Sequence, residues 1–225
     1  MLFTVEERPS DSPYVERVWH AQSERTGQFI SQASIHGEVV VILHNGDTYL
    51  AVRGPETKAT FMDYQWTDAE FFGIRFKLGT FMPLFPPGNL RDQRDVNPPG
   101  ASRKSFWLHG SVWEFPNYQN ADTFVDRLVR DGLLVRDPIV EAVLQGHAPK
   151  LSPRSVQYHF MRATGLTLRT IQQIIRARQA YALLKQGVSI LDTVSEAGYA
   201  DQPHLTRSLR RFLGQTPAQI ADSCL

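Results

Sequence analysis

The chain has 225 residues and a net charge of +1, and 42% of its residues are hydrophobic. This length allows one large domain or two small ones, and the composition excludes a disordered chain. The sequence holds no apolar run long enough to cross a membrane, and its single cysteine excludes an internal disulfide framework and a cysteine-rich zinc site. Because the first residues are acidic and poor in apolar side chains, we expect no signal peptide and a cytoplasmic location.

Charge and aromatic residues divide unequally between two parts of the chain. Residues 1–136 hold 14 basic and 17 acidic side chains, whereas residues 137–225 hold 10 basic and 6 acidic ones. Of the 24 aromatic residues, 19 lie in the first part, including all four tryptophans. This division predicts a β-rich domain over residues 1–136 and a basic domain over residues 137–225, and the basic part is typical of a nucleic-acid binder.

Short strands are predicted in the first part of the chain. The β-rich runs 39–43 and 48–52 flank Asn45-Gly46, which is the strongest hairpin signal in the sequence. Two further strands and a proline-rich loop are expected at residues 60–66, 70–76 and 81–100. Several short strands at this spacing favour a β-barrel or a sandwich.

An amphipathic helix is predicted over residues 121–131, where the period changes. Phe124, Val125, Leu128 and Val129 lie on one side of it, and Asn120 is a candidate N-cap. Two interpretations are open for its apolar side, which either packs on the sheet of the same domain or forms part of a dimer interface.

The last third of the chain contains a repeat. Residues 152–167 and 201–216 align at an offset of 49 positions, and each copy begins with a residue that is a good helix N-cap. Gly165 and Gly214 occupy matching positions and can supply the left-handed residue that ends a helix. Each copy is therefore predicted to form a helix of about 12 residues. The apolar stripe of these helices is expected at Val156, Phe160, Leu205, Leu209 and Phe212.

Further helices surround the second copy. Residues 189–197 are predicted to be helical, Gly198 ends that helix, and the second copy follows after a short turn, which is the order of a helix-turn-helix unit. Thr167 is expected to cap a helix over residues 168–185. At 1.5 Å per residue this helix spans about 27 Å. A rigid helix of that length can hold the helices of the two copies near one DNA turn apart, about 34 Å.

Residues 151–220 resemble the DNA-binding domain of AraC/XylS-type transcription regulators. The resemblance is carried by Ser152, Phe160, Gly165, Arg176, Ala180, Leu184, Ile190, Val194, Ala197-Gly198-Tyr199, Asp201, Leu205, Arg207 and Gly214-Gln215-Thr216-Pro217. It implies two helix-turn-helix units, with base-reading side chains early in each recognition helix. Two features depart from the family pattern: Pro203 stands where a polar contact is usual, and residues 146–150 replace the usual small-residue helix and turn.

The resemblance and the polar side of each helix together predict the DNA contacts. Arginine, glutamine and threonine are the side chains that read base edges or bind phosphates. The predicted contacts are Arg154, Gln157, Tyr158, Arg162, Gln202, Pro203, Thr206, Arg207, Arg210 and Arg211. Mostly phosphate contacts are expected from five arginines, Arg162, Arg169, Arg178, Arg210 and Arg211.

The N-terminal half resembles the cupin-like sensor domains of the same family, on Gly73-Ile74-Arg75-Phe76 followed by Gly79. The predicted fold class is therefore α+β, with an N-terminal cupin-like β-barrel followed by an all-α domain that holds two helix-turn-helix units. A barrel lined by aromatic residues can hold a small organic effector. The candidate effector-binding residues are Trp19, His36, Tyr49, Arg53 and Trp66.

Neither catalysis nor a metal centre is expected. A metal-binding cupin needs two histidines one residue apart, whereas His36 and His44 are eight positions apart. No Ser-His-Asp arrangement and no glycine-rich phosphate loop can be recognised, and Cys224 is interpreted as an incidental residue near the end of the chain. We therefore predict a protein that is not an enzyme and has no cofactor.

The predicted function is sequence-specific transcription regulation through double-stranded operator DNA. A small effector, a second copy of the chain and RNA polymerase are the further expected partners, and a membrane is not one. Three alternatives stay open: a ligand-independent regulator whose barrel only oligomerises, a cupin-type enzyme with an attached DNA-binding module, and a general DNA-coating protein. The histidine spacing argues against the second, and the low net charge argues against the third.

Overall fold

A computed structural model describes residues 2–93, 95–147 and 149–222, and it confirms the α+β class. The strands of these described residues are β1 (Phe3–Arg8), β2 (Val15–Ser23), β3 (Gly27–Ser31), β4 (Glu38–His44), β5 (Asp47–Arg53), β6 (Thr60–Tyr64), β7 (Glu70–Phe76), β8 (Thr80–Phe81), β9 (Gly100–Ser102), β10 (Ser105–Leu108), β11 (Ser111–Glu114) and β12 (Val135–Arg136). The helices are α1 (Pro87–Leu90), α2 (Ala121–Arg130), α3 (Pro138–Leu144), α4 (Pro153–Thr164), α5 (Leu168–Lys185), α6 (Ile190–Glu196), α7 (Gln202–Leu213) and α8 (Pro217–Asp222).

The largest sheet is antiparallel and has the strand order β1-β2-β7-β4-β5. Its predicted hairpin is confirmed, because β4 and β5 pair around Asn45 and Gly46, whose φ angles are 53° and 80°. Two successive residues with positive φ are typical of the turn that joins twisted strands most directly. The sheet ends at β1 and β5, and the other strands form three smaller sheets. A closed, cupin-like barrel therefore stays a prediction.

One face of this sheet packs against α2. Val18, Val41 and Ile74 of the sheet share a buried core with Leu128 of α2, so the first of the two interpretations of this helix is confirmed. Asn120 occupies the N-cap position of α2, as predicted, but its side chain forms no capping hydrogen bond with the helix. Its side-chain oxygen instead accepts a hydrogen bond from the backbone nitrogen of Asn117 at 2.8 Å, and this closes the preceding turn.

The chain forms two compact units. The first consists of Met1–Gly27, His36–Pro55 and Tyr64–Leu166, and the second of Gln28–Ile35, Glu56–Asp63 and Thr167–Leu225. The boundary that the sequence suggests at residues 136 and 137 stays a prediction. Among the described residues, no helix combines the length and the apolar character that a membrane span requires.

In the second unit, α5 contacts α6, α7 and α8. Two segments from early in the sequence also belong to this unit, and they bind the carboxyl end of α7. The backbone nitrogen of Ala33 donates to the carbonyl of Phe212 at 2.8 Å, and that of Ala59 donates to the carbonyl of Arg211 at 2.7 Å. The last carbonyls of a helix have no partner within it. Residues 28–35 and 56–63 therefore cap α7.

Candidate DNA-binding interface

The predicted helix, turn and helix at the second copy of the repeat are present as α6, residues 197–201 and α7. Ser189 caps α6 by accepting from the backbone nitrogen of Asp192, and Asp201 caps α7 by accepting from that of His204. Gly198 adopts a φ of 68°, in the left-handed region where a side chain would be strained. The local sequence signals at caps and turn thus determine where both helices begin and end.

Tyr199 fixes this turn to the two neighbouring helices. Its ring is 7% exposed, the guanidinium of Arg176 on α5 lies 5.1 Å from the ring centroid, and its hydroxyl is 2.9 Å from Oγ of Ser208 on α7. Arg176 also donates to the carbonyl of Gly198 at 3.1 Å. Burial raises the pKa of Tyr199, although the Ser208 hydrogen bond and the charge of Arg176 oppose the increase. The turn is therefore rigidly attached to α5 and α7.

The family resemblance includes Arg176 and Tyr199, but the sequence alone assigns them no role. The signal that would have revealed it is an aromatic residue next to the turn glycine. An aromatic ring at this place can pack under the turn, and its polar atom then needs a partner such as Ser208.

The outward side of α7 carries the predicted contacts. Gln202, Pro203, Arg207, Arg210 and Arg211 are exposed, whereas the predicted apolar stripe at Leu205, Leu209 and Phe212 is buried. Thr206 is half-buried, and its hydroxyl donates to the carbonyl of Gln202 at 2.9 Å. Because the Thr206 hydroxyl already donates its hydrogen within the helix, its oxygen can only accept a hydrogen bond from DNA.

The first copy of the repeat forms α4, which Ser152 caps and Gly165 ends with a φ of 68°. Arg154, Gln157 and Tyr158 are exposed, and Tyr158 is the most exposed of the large apolar side chains on this helix at 62%. On the opposite side the predicted Phe160 is fully buried, and Val156 is half-buried. The helix thus presents a polar and aromatic face, as the repeat predicts.

Arg162, the fourth predicted contact on α4, has a protein partner. Asp137 is fully buried and caps α3 with one carboxylate oxygen, while its other oxygen lies 3.2 Å from the Arg162 guanidinium and 2.8 Å from Nδ1 of His159. The charge of Asp137 is thereby paired, as a buried carboxylate requires. Arg162 is held towards α3 by this pair, and its side chain is still half exposed.

The segment between α3 and α4 departs from the usual family pattern, as the sequence suggests. α3 ends at Leu144, Gly146 adopts a φ of 81°, and the described residues from 145 to 152 contain no helix. Ala148 lies outside the described residues.

Three of the five candidate effector residues share one face of the five-stranded sheet. Trp19 lies directly opposite Gly73 on the neighbouring strand, and a side chain at Gly73 would overlap the indole, because an added Cβ would lie 2.1 Å from the ring. Tyr49 and Arg53 project from β5 on the same side, by the alternation of the paired strands.

Each of these side chains has a different environment. The indole nitrogen of Trp19 is buried without a hydrogen-bond partner. Tyr49 is 46% exposed, and Arg53 forms a double hydrogen bond with Asp95 at 2.9 Å.

The other two candidates have local partners. Nδ1 of His36 lies 2.9 Å from the carbonyl oxygen of Phe76 and 3.3 Å from the carboxylate of Glu16. Trp66 stacks on His44 with ring centroids 4.8 Å apart. No group of three or more His, Cys, Asp or Glu side chains that could hold a metal occurs within the described part of the chain. Cys224 lies outside that part.

Two comparisons with known proteins give matches to this chain. The family described as a helix-turn-helix domain matches residues 147–223. The DNA-directed RNA polymerase subunit beta of Thermosynechococcus vestitus is 22% identical over 224 residues, and the alignment covers 95% of this chain but only 19% of the subunit. No solved structure matches. Residues 147–223 are therefore similar to a helix-turn-helix domain, and this similarity supports DNA binding.

Proposed function

We propose that this protein is a sequence-specific transcription regulator that binds operator DNA with α7 in the major groove. The observation that carries the proposal is the exposed polar face of α7, on a helix whose preceding turn is fixed by Tyr199 within a recognised helix-turn-helix domain. A recognition helix needs such a rigid support, because base-edge hydrogen bonds depend on exact placement of the side chains.

The side chains of α7 suit base recognition. Arg207 can donate two hydrogen bonds to a guanine, and Gln202 can pair with an adenine. Pro203 offers an apolar contact, which suits a thymine methyl group better than a hydrogen-bonding edge. Arg210 and Arg211 are placed to bind phosphates, which makes the affinity depend on salt.

We further propose that α4 is a second recognition helix. Arg154, Gln157 and Tyr158 are exposed on its polar face, and they match the outward residues of α7 in the repeat. Two such units on successive major grooves predict two half-elements about ten base pairs apart. In this proposal residues 137–225 bind DNA, and residues 1–136 sense an effector or mediate oligomerisation. The protein would act in the cytoplasm.

Control by a small organic effector belongs to the same proposal. The support for it is the sheet face that carries Trp19, Tyr49 and Arg53, where a buried indole N–H lacks a partner. A ligand regulates DNA binding only if it binds the active and inactive states unequally. The test is therefore a DNA-binding curve that shifts when a metabolite is added. Homodimerisation and contact with RNA polymerase are further expectations that the DNA experiment does not require.

The experiment that tests the function is the selection of bound sequences from a random pool of duplex DNA, with the purified whole chain at physiological salt. An enriched motif with two half-elements supports a specific regulator in which both helices read bases. A single short element would support α7 and contradict base reading by α4. If no sequence is enriched, with or without a metabolite mixture, sequence-specific recognition is contradicted.

A further inference from the structure

A basic cleft lies between α5 and α7 in the second unit. Its volume is about 150 Å³, and it is lined by three arginines, Arg176, Arg207 and Arg211, together with Tyr199 and Ser208. None of the described residues that line it is a carboxylate. A cavity of this size is far larger than the roughly 10–15 Å³ that one water requires. The cleft therefore has room for a small anion.

The arginines of this cleft repel one another. Arg207 and Arg211 are four positions apart on α7, and like charges at that spacing destabilise a helix. Arg176 adds a third positive charge from α5, and its position is fixed by the carbonyl of Gly198 and the ring of Tyr199. A bound anion would offset this repulsion, and the arrangement is already organised to receive it.

Two lining residues of the cleft carry hydroxyl groups, and together these leave one hydrogen-bond donor for a ligand. Tyr199 and Ser208 are hydrogen-bonded to each other at 2.9 Å, and either hydroxyl can be the donor. This bond uses one of the two hydroxyl hydrogens, so the other is available to an acceptor. Guanidinium groups beside a hydroxyl donor form the combination that recognises a phosphate.

We propose that this cleft is a phosphate-binding site, in which Arg176 and Arg211 bind the oxygens of one phosphate group. Two sources share this chemistry: a phosphodiester of the DNA backbone and a small phosphate-bearing molecule. Binding of a DNA phosphodiester rests on the proposed function, whereas the proposal that the cleft binds phosphate does not.

The first experiment titrates sodium phosphate into the whole chain at constant ionic strength, and follows the backbone amide NMR signals of residues 199–202 and 204–212. We expect saturable shifts, and in Arg211→Gln a dissociation constant at least about fivefold larger, because charge-assisted hydrogen bonds are lost. The fold should survive this change, since Ala59 bonds to the backbone carbonyl of residue 211 and not to its side chain.

The matched control is Arg130→Gln, which removes the same charge from an exposed position on α2. It should leave the dissociation constant for phosphate unchanged. Shifts that do not saturate, or an equal affinity for phosphate in Arg211→Gln and in the unaltered chain, would overturn the proposal.

The second experiment separates the two sources with a duplex that lacks any selected motif. If the DNA backbone supplies the phosphate, inorganic phosphate competes with this duplex, and Arg211→Gln reduces the slope of log affinity against log salt by about one. If a small molecule supplies it, the slope is unchanged and the phosphate-induced shifts persist with DNA bound. Either result supports the site. Because the phosphate titration uses no DNA, failure of the DNA selection would leave it intact as a test.

Discussion

Arg207 lies at the centre of the exposed side of α7, opposite the buried Leu205 and Leu209. If it reads a guanine, Arg207→Ala should weaken binding to the selected motif by about 1–3 kcal/mol and should spare binding to a shuffled duplex. The measurement is a pair of binding curves at one salt concentration. An equal loss on both duplexes would show that Arg207 only holds phosphate and would contradict its role as a base reader.

The pKa of Tyr199 gives a prediction about stability at high pH. Burial raises this pKa above its ordinary value of 10.0, so the folded state favours the neutral phenol. The stabilisation is complete below about pH 10 and is lost as the pH rises through the folded pKa. We therefore expect the free energy of unfolding to fall less steeply above pH 10 in Tyr199→Phe than in the unaltered chain.

Urea unfolding at about pH 7 and about pH 11 measures this difference. At neutral pH, Tyr199→Phe should cost about 1 kcal/mol for the lost Ser208 hydrogen bond. Burial also raises the pKa of Tyr64, but that residue contributes equally to both proteins. The control is Tyr158→Phe on the exposed side of α4. Parallel pH profiles for Tyr199→Phe and the unaltered chain would contradict the prediction.

At the scale of elements, sequence signals predict helices α4 to α7 and all four strands between residues 38 and 76, but not α8. Caps, glycines and apolar spacing are local, and α7 has the predicted length because Asp201 and Gly214 determine its ends. The early strands β1, β2 and β3 were missed. The burial of β1 explains this, since most of its side chains are exposed and lack the alternation that marks a half-buried strand.

The end of α4 depends on a close contact that its sequence does not reveal. Gly165 adopts a positive φ, and a Cβ there would lie 2.7 Å from backbone atoms of Pro87 in α1. Gly187 also has a positive φ, but a Cβ there would meet nothing within 4 Å. We expect Gly187→Ala to destabilise the protein by about 1 kcal/mol, the cost of the left-handed conformation alone.

Gly165→Ala should cost roughly 1–3 kcal/mol more than Gly187→Ala, because backbone atoms cannot rotate away as a side chain does. Both values come from urea unfolding under the same conditions. Equal destabilisation by the two changes would show that α4 and α1 separate at no cost, and would contradict a tight contact at this point.

For the whole molecule, the outward residues of the candidate interface could be predicted, but the support of α7 by early segments could not. A repeat with matched polar positions reveals which side chains face outward, as Gln202 and Arg207 do. The bonds from Ala33 and Ala59 to the end of α7 join backbone atoms. Backbone groups are the same in every residue, so no side-chain pattern identifies such a contact across more than 150 positions of the sequence.

This support predicts that residues 137–225, expressed without the preceding chain, have a less stable α7. The fragment lacks the two backbone donors that cap α7, and it also lacks the carbonyl of Ala33 that accepts from Arg178 at 2.8 Å. Each hydrogen bond contributes about 0.5–1.5 kcal/mol to stability. Amide hydrogen exchange in the last turn of α7 should therefore be faster in the fragment by a factor of about ten or more.

The comparison is internal, since the amides of α6 in the same fragment serve as the reference for general loss of stability. Exchange in α6 should rise less than in the last turn of α7, because no backbone–backbone hydrogen bond of the described residues joins α6 to a residue before position 137. Equal acceleration in both helices would mean that the fragment loses stability as a whole. The early segments would then not act on α7 specifically.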